Sequence, residues 1–366
     1  MNLELHSPAR RKLYKIGLFG LLIIVILLAA TIPFVWESKT MWYKFGMDRT
    51  LLRAGKIAGL CTAILIFCQI FLVLKLKFLD RTLGLDRLYH LHKQCGLTIL
   101  VFAAVHASLI LIPEGLENLP IGWKFWPEML GGTVLLLLFA FIGTALFHKN
   151  FMPYHIWRAI HRPMGYIFAI ALTIHIFNVS DSFAENVPNY ALWSLCVITT
   201  LIVMFSKIRS FCILRNKLEI RSCSLANDDI LNISIASPKS FCHAPGQFAF
   251  LRLHGKNISP ELHPFTIASA PDTGSSDDVK LQFFIKKCGD WTKRIQPEEI
   301  TQASIQGPFG LFSYKANPPA DQIVFIAGGI GITPIMSMLR HLGQEEKSHK
   351  VMLIWCVSQK KDVFLR

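Results

Sequence analysis

The chain has 366 residues, of which 52% are hydrophobic and only 17% charged, with a mean hydropathy of +0.42. A water-soluble globular chain carries about 25% charged residues, so the composition excludes a protein that is soluble throughout. The net charge of +14 would suit nucleic acid or anionic lipid, but Arg10, Arg11, Lys12, Lys15, Lys75, Lys77, Arg81, Arg87, Lys149, Arg158, Lys207, Arg209, Arg215 and Lys217 flank the ends of apolar runs. Those positions orient a multi-span protein, so the excess reads as membrane topology and lipid contact, with no nucleic-acid partner and no protein partner evident.

Taken in order, six stretches reach the ~17 to 20 apolar residues that a span needs: Ile16 to Trp36, Ile57 to Leu74, Gln94 to Ile112, Met129 to Phe147, Pro163 to Val179 and Val187 to Phe205. The first is too long for a signal-peptide core and reads as a retained span. Basic residues cluster at the N-terminus, between spans two and three, between four and five, and after six, which places both termini in the cytoplasm of a multi-pass plasma (cytoplasmic) membrane protein. The segment from Glu37 to Lys56 disagrees, holding Lys39, Lys44, Arg49, Arg53 and Lys56 on the side expected to face out. The nine cysteines form no CxxC pair and are expected to be reduced.

After Leu218 come short β-like stretches at Leu218 to Arg221, Ile230 to Ala236, Gln247 to Leu253, Thr266 to Ser269, Val279 to Lys286 and Ala303 to Gln306, separated by turn residues. Six such strands predict a small antiparallel β-barrel. From Gln322 the pattern is strand (Ile323 to Ala327), glycine turn, helix (Pro334 to Leu342) and strand (Val351 to Val357), a βαβ unit of a parallel sheet. The expected division is a six-helix membrane domain over 1–209, a β-barrel domain over 210–318 and a partial α/β nucleotide-binding domain over 319–366.

Spans three and five each carry two histidines fourteen residues apart, His92 with His106 and His161 with His175. Fourteen residues fall about 40° short of four turns, so each pair shares one helix face about 21 Å apart along the axis. His90, sixteen residues from His106, lies about 160° away. Both spans run in the same direction, so His92 is level with His161 and His106 with His175. Two facing imidazoles at one depth suit the axial positions of a haem iron, giving two stacked b-type haems. Zinc would need further ligands at each depth, which the spans lack apart from scattered cysteines. Phe168 lies midway between the levels, as core packing or as a filler between haems. Arg53, Lys93 and Arg162 are candidates to neutralise propionates or to snorkel to the interface. A non-enzymatic proton or ion pathway is the alternative use of intramembrane histidines.

Five motifs carry a family resemblance: Leu-His-Lys-Gln-Cys-Gly at 91–96, His-Arg-Pro at 161–163, His-Pro-Phe-Thr at 263–266, Gly-Asp-Trp-Thr at 289–292 and Ala-Gly-Gly-Ile-Gly-Ile-Thr-Pro at 327–334. With them the chain resembles the NADPH oxidase and ferric reductase superfamily, a ferric reductase-like transmembrane domain joined to a ferredoxin-reductase-type flavoprotein module. The resemblance implies that His263, Pro264, Phe265 and Thr266 support the flavin ring of FAD, with the Thr266 hydroxyl near N5 in a catalytic role. It implies that Gly289, Trp291 and Thr292 open a short helix at the FAD pyrophosphate, Trp291 serving there or in the core. Gly328, Gly329 and Gly331, followed by Thr333 and Pro334 at the start of a helix, leave room for the phosphates of NAD(P)H. Ser358, Lys360 and Lys361 favour NADPH, or form an exposed basic loop. The family's later cysteine-glycine motif and terminal aromatic are absent, so the chain is expected to be truncated. The expected activity is electron transfer from cytoplasmic NAD(P)H through FAD and two haems to dioxygen, giving superoxide, or to ferric iron.

Overall fold

Helix α1 spans Pro8–Val35, α2 Gly46–Val73, α3 Lys77–Leu83, α4 Leu85–Leu111, α5 Trp126–Phe151, α6 Tyr154–Val179 and α7 Asn186–Arg215. The computed structural model describes residues 7–115, 118–238, 241–272, 279–318, 320–345, 349–360 and 363–364. Among them six helices are long and apolar enough to cross a membrane, making this an integral membrane protein. Each begins or ends beyond its apolar run because the flanking polar residues continue the helical hydrogen bonding into the interface. Two compact units are distinguished, one of Ile16–Leu76 and Arg87–Met204, the other of Met1–Lys15, Lys77–Asp86 and Phe205–Arg366.

In the first unit, a shared core of Ile66, Ile70, Ile99, Ala103, Val134, Leu138, Phe168 and Ala169 joins α2, α4, α5 and α6. The basic segment that contradicts the charge rule is compensated here. Glu37 accepts hydrogen bonds from Arg49 at 2.7 and 2.8 Å and from Arg53 at 2.7 Å, and Lys44 lies 3.1 Å from Glu114. The Arg49 guanidinium foremost holds the Glu37 carboxyl below its usual range.

In the second unit, strands β1 (Leu218–Asn227), β2 (Ile230–Ala236), β3 (Phe248–Gly255), β4 (His263–Thr266), β5 (Lys280–Lys286) and β6 (Ile300–Phe309) form one antiparallel sheet in the order β4-β3-β6-β1-β2-β5. Alternate residues point inward, and Leu231, Ile233, Ile235, Ala249, Leu251, Leu253, Leu281, Phe283 and Ile285 are buried in one core, each large side chain contributing about 1.5–3 kcal/mol.

This sheet is not the closed barrel expected from the strand count. Closure needs a ladder between β4 and β5, but β4 has four residues, one of them a proline without a donor. Past it, among the described residues, one backbone bond, Ala268 N to Gln282 O at 2.8 Å, joins the two edges. The fourth strand is also displaced, covering His263–Thr266 where the sequence pattern predicts Thr266 to Ser269.

The last portion is the expected βαβ unit, with β7 (Gln322–Gly328), α8 (Thr333–Leu342) and β8 (Lys350–Cys356), the strands parallel and in register from Gln322↔Lys350 to Gly328↔Cys356. One face carries buried Phe325 and Ala327, while Val324, Ile326, Met352 and Ile354 are exposed on the other.

Candidate cofactor sites

Within the membrane unit, His92 of α4 and His161 of α6 face each other with ring centroids 6.1 Å apart and planes inclined at 71°. His92 is half-buried, with its backbone carbonyl accepting Gln69 Nε2 of α2 at 2.9 Å. His161 is sandwiched between Phe141, stacked at 4.6 Å and 12°, and Trp157 at 4.5 Å. Phe141 in turn meets Phe168 edge-on at 5.4 Å, so Phe168, 4% exposed, is part of the helix core.

Fourteen residues on, His106 Nδ1 donates to Gly55 O of α2 at 2.7 Å, and His175 Nδ1 donates to Pro127 O of α5 at 2.7 Å. A carbonyl only accepts, so both rings carry the proton on Nδ1 and a free lone pair on Nε2. That is the tautomer a metal-ligating histidine needs and the outer contact that usually fixes it. Each ring also lies close against a glycine of the neighbouring helix. A Cβ at Gly59 would fall 2.7 Å from His106 Nδ1, and one at Gly131 would fall 2.4 Å from His175 Cε1. Sequence reasoning missed Gly59 and Gly131, because a glycine in a span has no signature until its neighbour is known.

Among the described residues, no group of three or more His, Cys, Asp or Glu is placed to hold a metal ion. The facing imidazoles of His92 and His161 and the Nε2 lone pairs of His106 and His175 fit a metal whose other ligands come from a macrocycle, as in haem. His90 is exposed, as are Lys93 and Arg162, while Arg53 is paired with Glu37 at 2.7 Å.

In the sheet unit, β4 pairs with β3 through Leu251↔His263, Phe250↔Pro264, Ala249↔Phe265 and Phe248↔Thr266. Residues two apart share a face. His263 and Phe265 both stack on Trp291, at 4.3 Å and 6.3 Å with planes 22° apart, and Pro264 and Thr266 take the opposite face. Trp291 is 9% exposed, and its indole N–H donates to Ser259 O at 2.9 Å, so the structure places it in the core. The predicted helix after Gly289 is one 3-10 turn, Thr292–Arg294. The amides of Cys288 and Gly289 donate to Thr292 Oγ1 at 3.1 and 2.9 Å, because a threonine hydroxyl satisfies a short turn more readily than continued helix does.

The glycine turn of the βαβ unit is open. Cβ atoms added at Gly328, Gly329 or Gly331 would meet nothing within 4 Å, and Gly329 has φ +49°. Buried Thr333 starts α8 with its hydroxyl on Ile330 O at 3.1 Å, and Pro334 lies in the first turn. Backbone amides entering a helix beside free space suit phosphate. Trp355 Nε1 donates to Gly329 O at 2.9 Å and holds the turn. Ser358 and Lys360 are exposed after β8, and Lys361 lies outside the described residues.

These sites join a six-helix membrane unit to a sheet unit and a βαβ unit with an open glycine turn. The family model described as ferric reductase like transmembrane component matches residues 58–172, that described as FAD-binding domain matches 215–332 and that described as oxidoreductase NAD-binding domain matches 325–366. It is 30% identical over 166 residues to Dual oxidase 1 of Caenorhabditis elegans, covering 40% of this chain and 11% of that protein. A probable ferric reductase transmembrane component of Candida albicans is 30% identical over 146 residues, 38% of this chain and 21% of that one. A superoxide-generating NADPH oxidase heavy chain of Dictyostelium discoideum is 24% identical over 282 residues, 66% and 37%. The chain thus spans between 11% and 37% of the length of these relatives.

Proposed function

We propose that the protein carries electrons across the membrane, from NAD(P)H through FAD and two b-type haems to dioxygen or ferric iron on the far side. The observation that carries this reading is the pairing of His92 with His161 at 6.1 Å, together with the anchored Nδ1 protons of His106 and His175 fourteen residues on. When bound, FAD would accept one hydride, two electrons at once, and pass them on singly to haem iron, which carries one electron at a time.

The residues hold and orient these groups. His92 and His161 would ligate the inner haem, His106 and His175 the outer one. Ligation by two imidazoles at each level would leave the acceptor to take its electron without binding the iron. Pro264 and Thr266 present one face of β4 to the flavin, the Thr266 hydroxyl near its reactive edge. The amides at Gly328, Gly329 and Gly331 receive the dinucleotide phosphates, and the basic residues after β8 favour NADPH. Both termini are read as cytoplasmic in the plasma membrane. The pairing of Arg49 and Arg53 with Glu37 and of Lys44 with Glu114 supports that orientation, because neutralised cations lose their weight in the charge rule. The functional division is into residues 1–209, 210–318 and 319–366.

The purified chain is expected to show the sharp reduced band of bis-histidine b-type haem, which a histidine proton or ion pathway would lack. Separate superoxide and ferrous-iron assays under NADPH then identify the acceptor. Absence of haem from folded, membrane-extracted protein overturns the reading.

A further inference from the structure

Asp80, in the connection between α2 and α4, is 2% exposed. Its Oδ1 accepts the amide of Leu85 at 2.9 Å and that of Gly310 at 3.1 Å, with Oδ2 3.3 Å from the same Gly310 nitrogen. Gly310 follows the last residues of β6 and closes the Gly307-Pro308-Phe309-Gly310 motif, to which neither the flavin nor the nucleotide reading gives a role. Lys77 Nζ donates to Gly307 O at 3.1 Å, a second tie to the same motif.

The chain of bonds continues toward the flavin strand. Gly310 O accepts Gln247 Nε2 at 2.9 Å, and Gln247, 6% exposed, also accepts Ala244 N on its Oε1 at 2.8 Å. Gln247 O accepts Ile267 N at 3.0 Å, the residue after Thr266. The neighbouring Phe248 is paired with both Thr266 and Phe309. Gly310 has φ +94°, and a Cβ there would sit 3.0 Å from the Phe248 ring, so this position needs glycine, and its amide is held where Asp80 waits.

We propose that Asp80 is a positioning residue for the flavin site, setting the place of Thr266 through Gly310 and Gln247. The inference rests on the reading of β4 as the flavin strand. Two amides from elements 230 and 5 residues away converge on one buried carboxylate, an arrangement that packing alone does not require. Burial pushes the Asp80 carboxyl up to about 6, against the two amide hydrogen bonds, while Asp86 raises it further and Arg81 lowers it. Lys77 is the other cation facing it. Asp80 is therefore ionised at neutral pH and loses its charge-assisted hydrogen bonds as pH falls through about 6.

The test measures FAD affinity by flavin fluorescence on the full chain in detergent. Asp80→Ala should weaken FAD binding about tenfold, the scale of a lost hydrogen bond to a charged group, and should speed hydrogen exchange at Gly310. Asp80→Asn, which keeps an acceptor, should restore most of the affinity at neutral pH and abolish the part of the pH profile centred near 6. Gln247→Glu, which removes the donor to Gly310, should weaken FAD as well, and combining it with Asp80→Ala should add little, since both break one chain of bonds. Unchanged affinity in Asp80→Ala, the same pH profile in wild type and Asp80→Asn, or independent effects in the double variant would each overturn the proposal while leaving the flavin reading standing. A wild-type chain that binds no FAD overturns both.

Discussion

The imidazole of His92 faces that of His161 across α4 and α6 at a centroid separation of 6.1 Å, although 69 positions separate them in the chain. Two metal–nitrogen bonds of about 2 Å each, with half a ring on either side, would fit a gap of this size. Replacing either residue by alanine should remove the inner haem and leave the outer one, so haem content measured as the pyridine complex falls toward half. His90 is exposed on another face of α4 and offers no rescue. Two low-spin haems retained in either variant would refute the assignment.

The outer level is tested through its glycines. Gly59→Ala and Gly131→Ala should each push a histidine ring off its carbonyl, since the new methyl would stand 2.7 Å from His106 Nδ1 or 2.4 Å from His175 Cε1. Overpacking of this kind costs about 1–3 kcal/mol, enough to lower occupancy of the outer haem by about tenfold or more at limiting haem. Gly132→Ala is the control, because its Cβ would meet nothing within 4 Å. Equal haem content in all three variants would show that the glycines do not position the ligands.

Thr266→Ala should slow NAD(P)H-driven haem reduction by about tenfold while both haem bands in the dithionite-reduced spectrum stay at wild-type intensity. The side chain lies on β4, where Thr266 pairs with Phe248, and belongs to no span. Stopped-flow reduction that matches wild type would remove Thr266 from the flavin site.

His243 supplies the pH test of stability. It is 9% exposed with Nε2 3.3 Å from Ser269 O, and burial pushes its pKa down to about 4. The fold therefore keeps it neutral, while the unfolded chain protonates it below about 6.5. Its contribution is present above about 6.5 and lost as pH falls toward 4, about 3 kcal/mol in all. Asp80 acts in the opposite sense, since its raised carboxyl pKa of about 6 favours the fold at low pH and loses that contribution as pH rises through 6. The two are separated by comparing wild type with His243→Gln, whose unfolding midpoint should fall less between about pH 7 and about pH 4.5. Parallel declines would show that His243 is not held neutral.

Much of this molecule was legible in its residues because the information is local. Apolar length marked six spans, the fourteen-residue histidine spacing placed each pair on one helix face, and strand, glycine turn and helix in order marked the βαβ unit. These follow from helix pitch, strand alternation and the length of a bilayer, which neighbouring residues specify among themselves. Tertiary structure decided what depends on elements far apart in sequence. It laid the rings of His106 and His175 on Gly59 and Gly131, set Glu37 between Arg49 and Arg53, and put Asp80 under Gly310. It also left the sheet open, since whether β4 reaches β5 depends on where a four-residue strand ends and not on how many strands there are. A close approach of two backbones, or a carboxylate buried beneath a glycine 230 residues away, has no period and no local motif, and exists only once packing has chosen the neighbours.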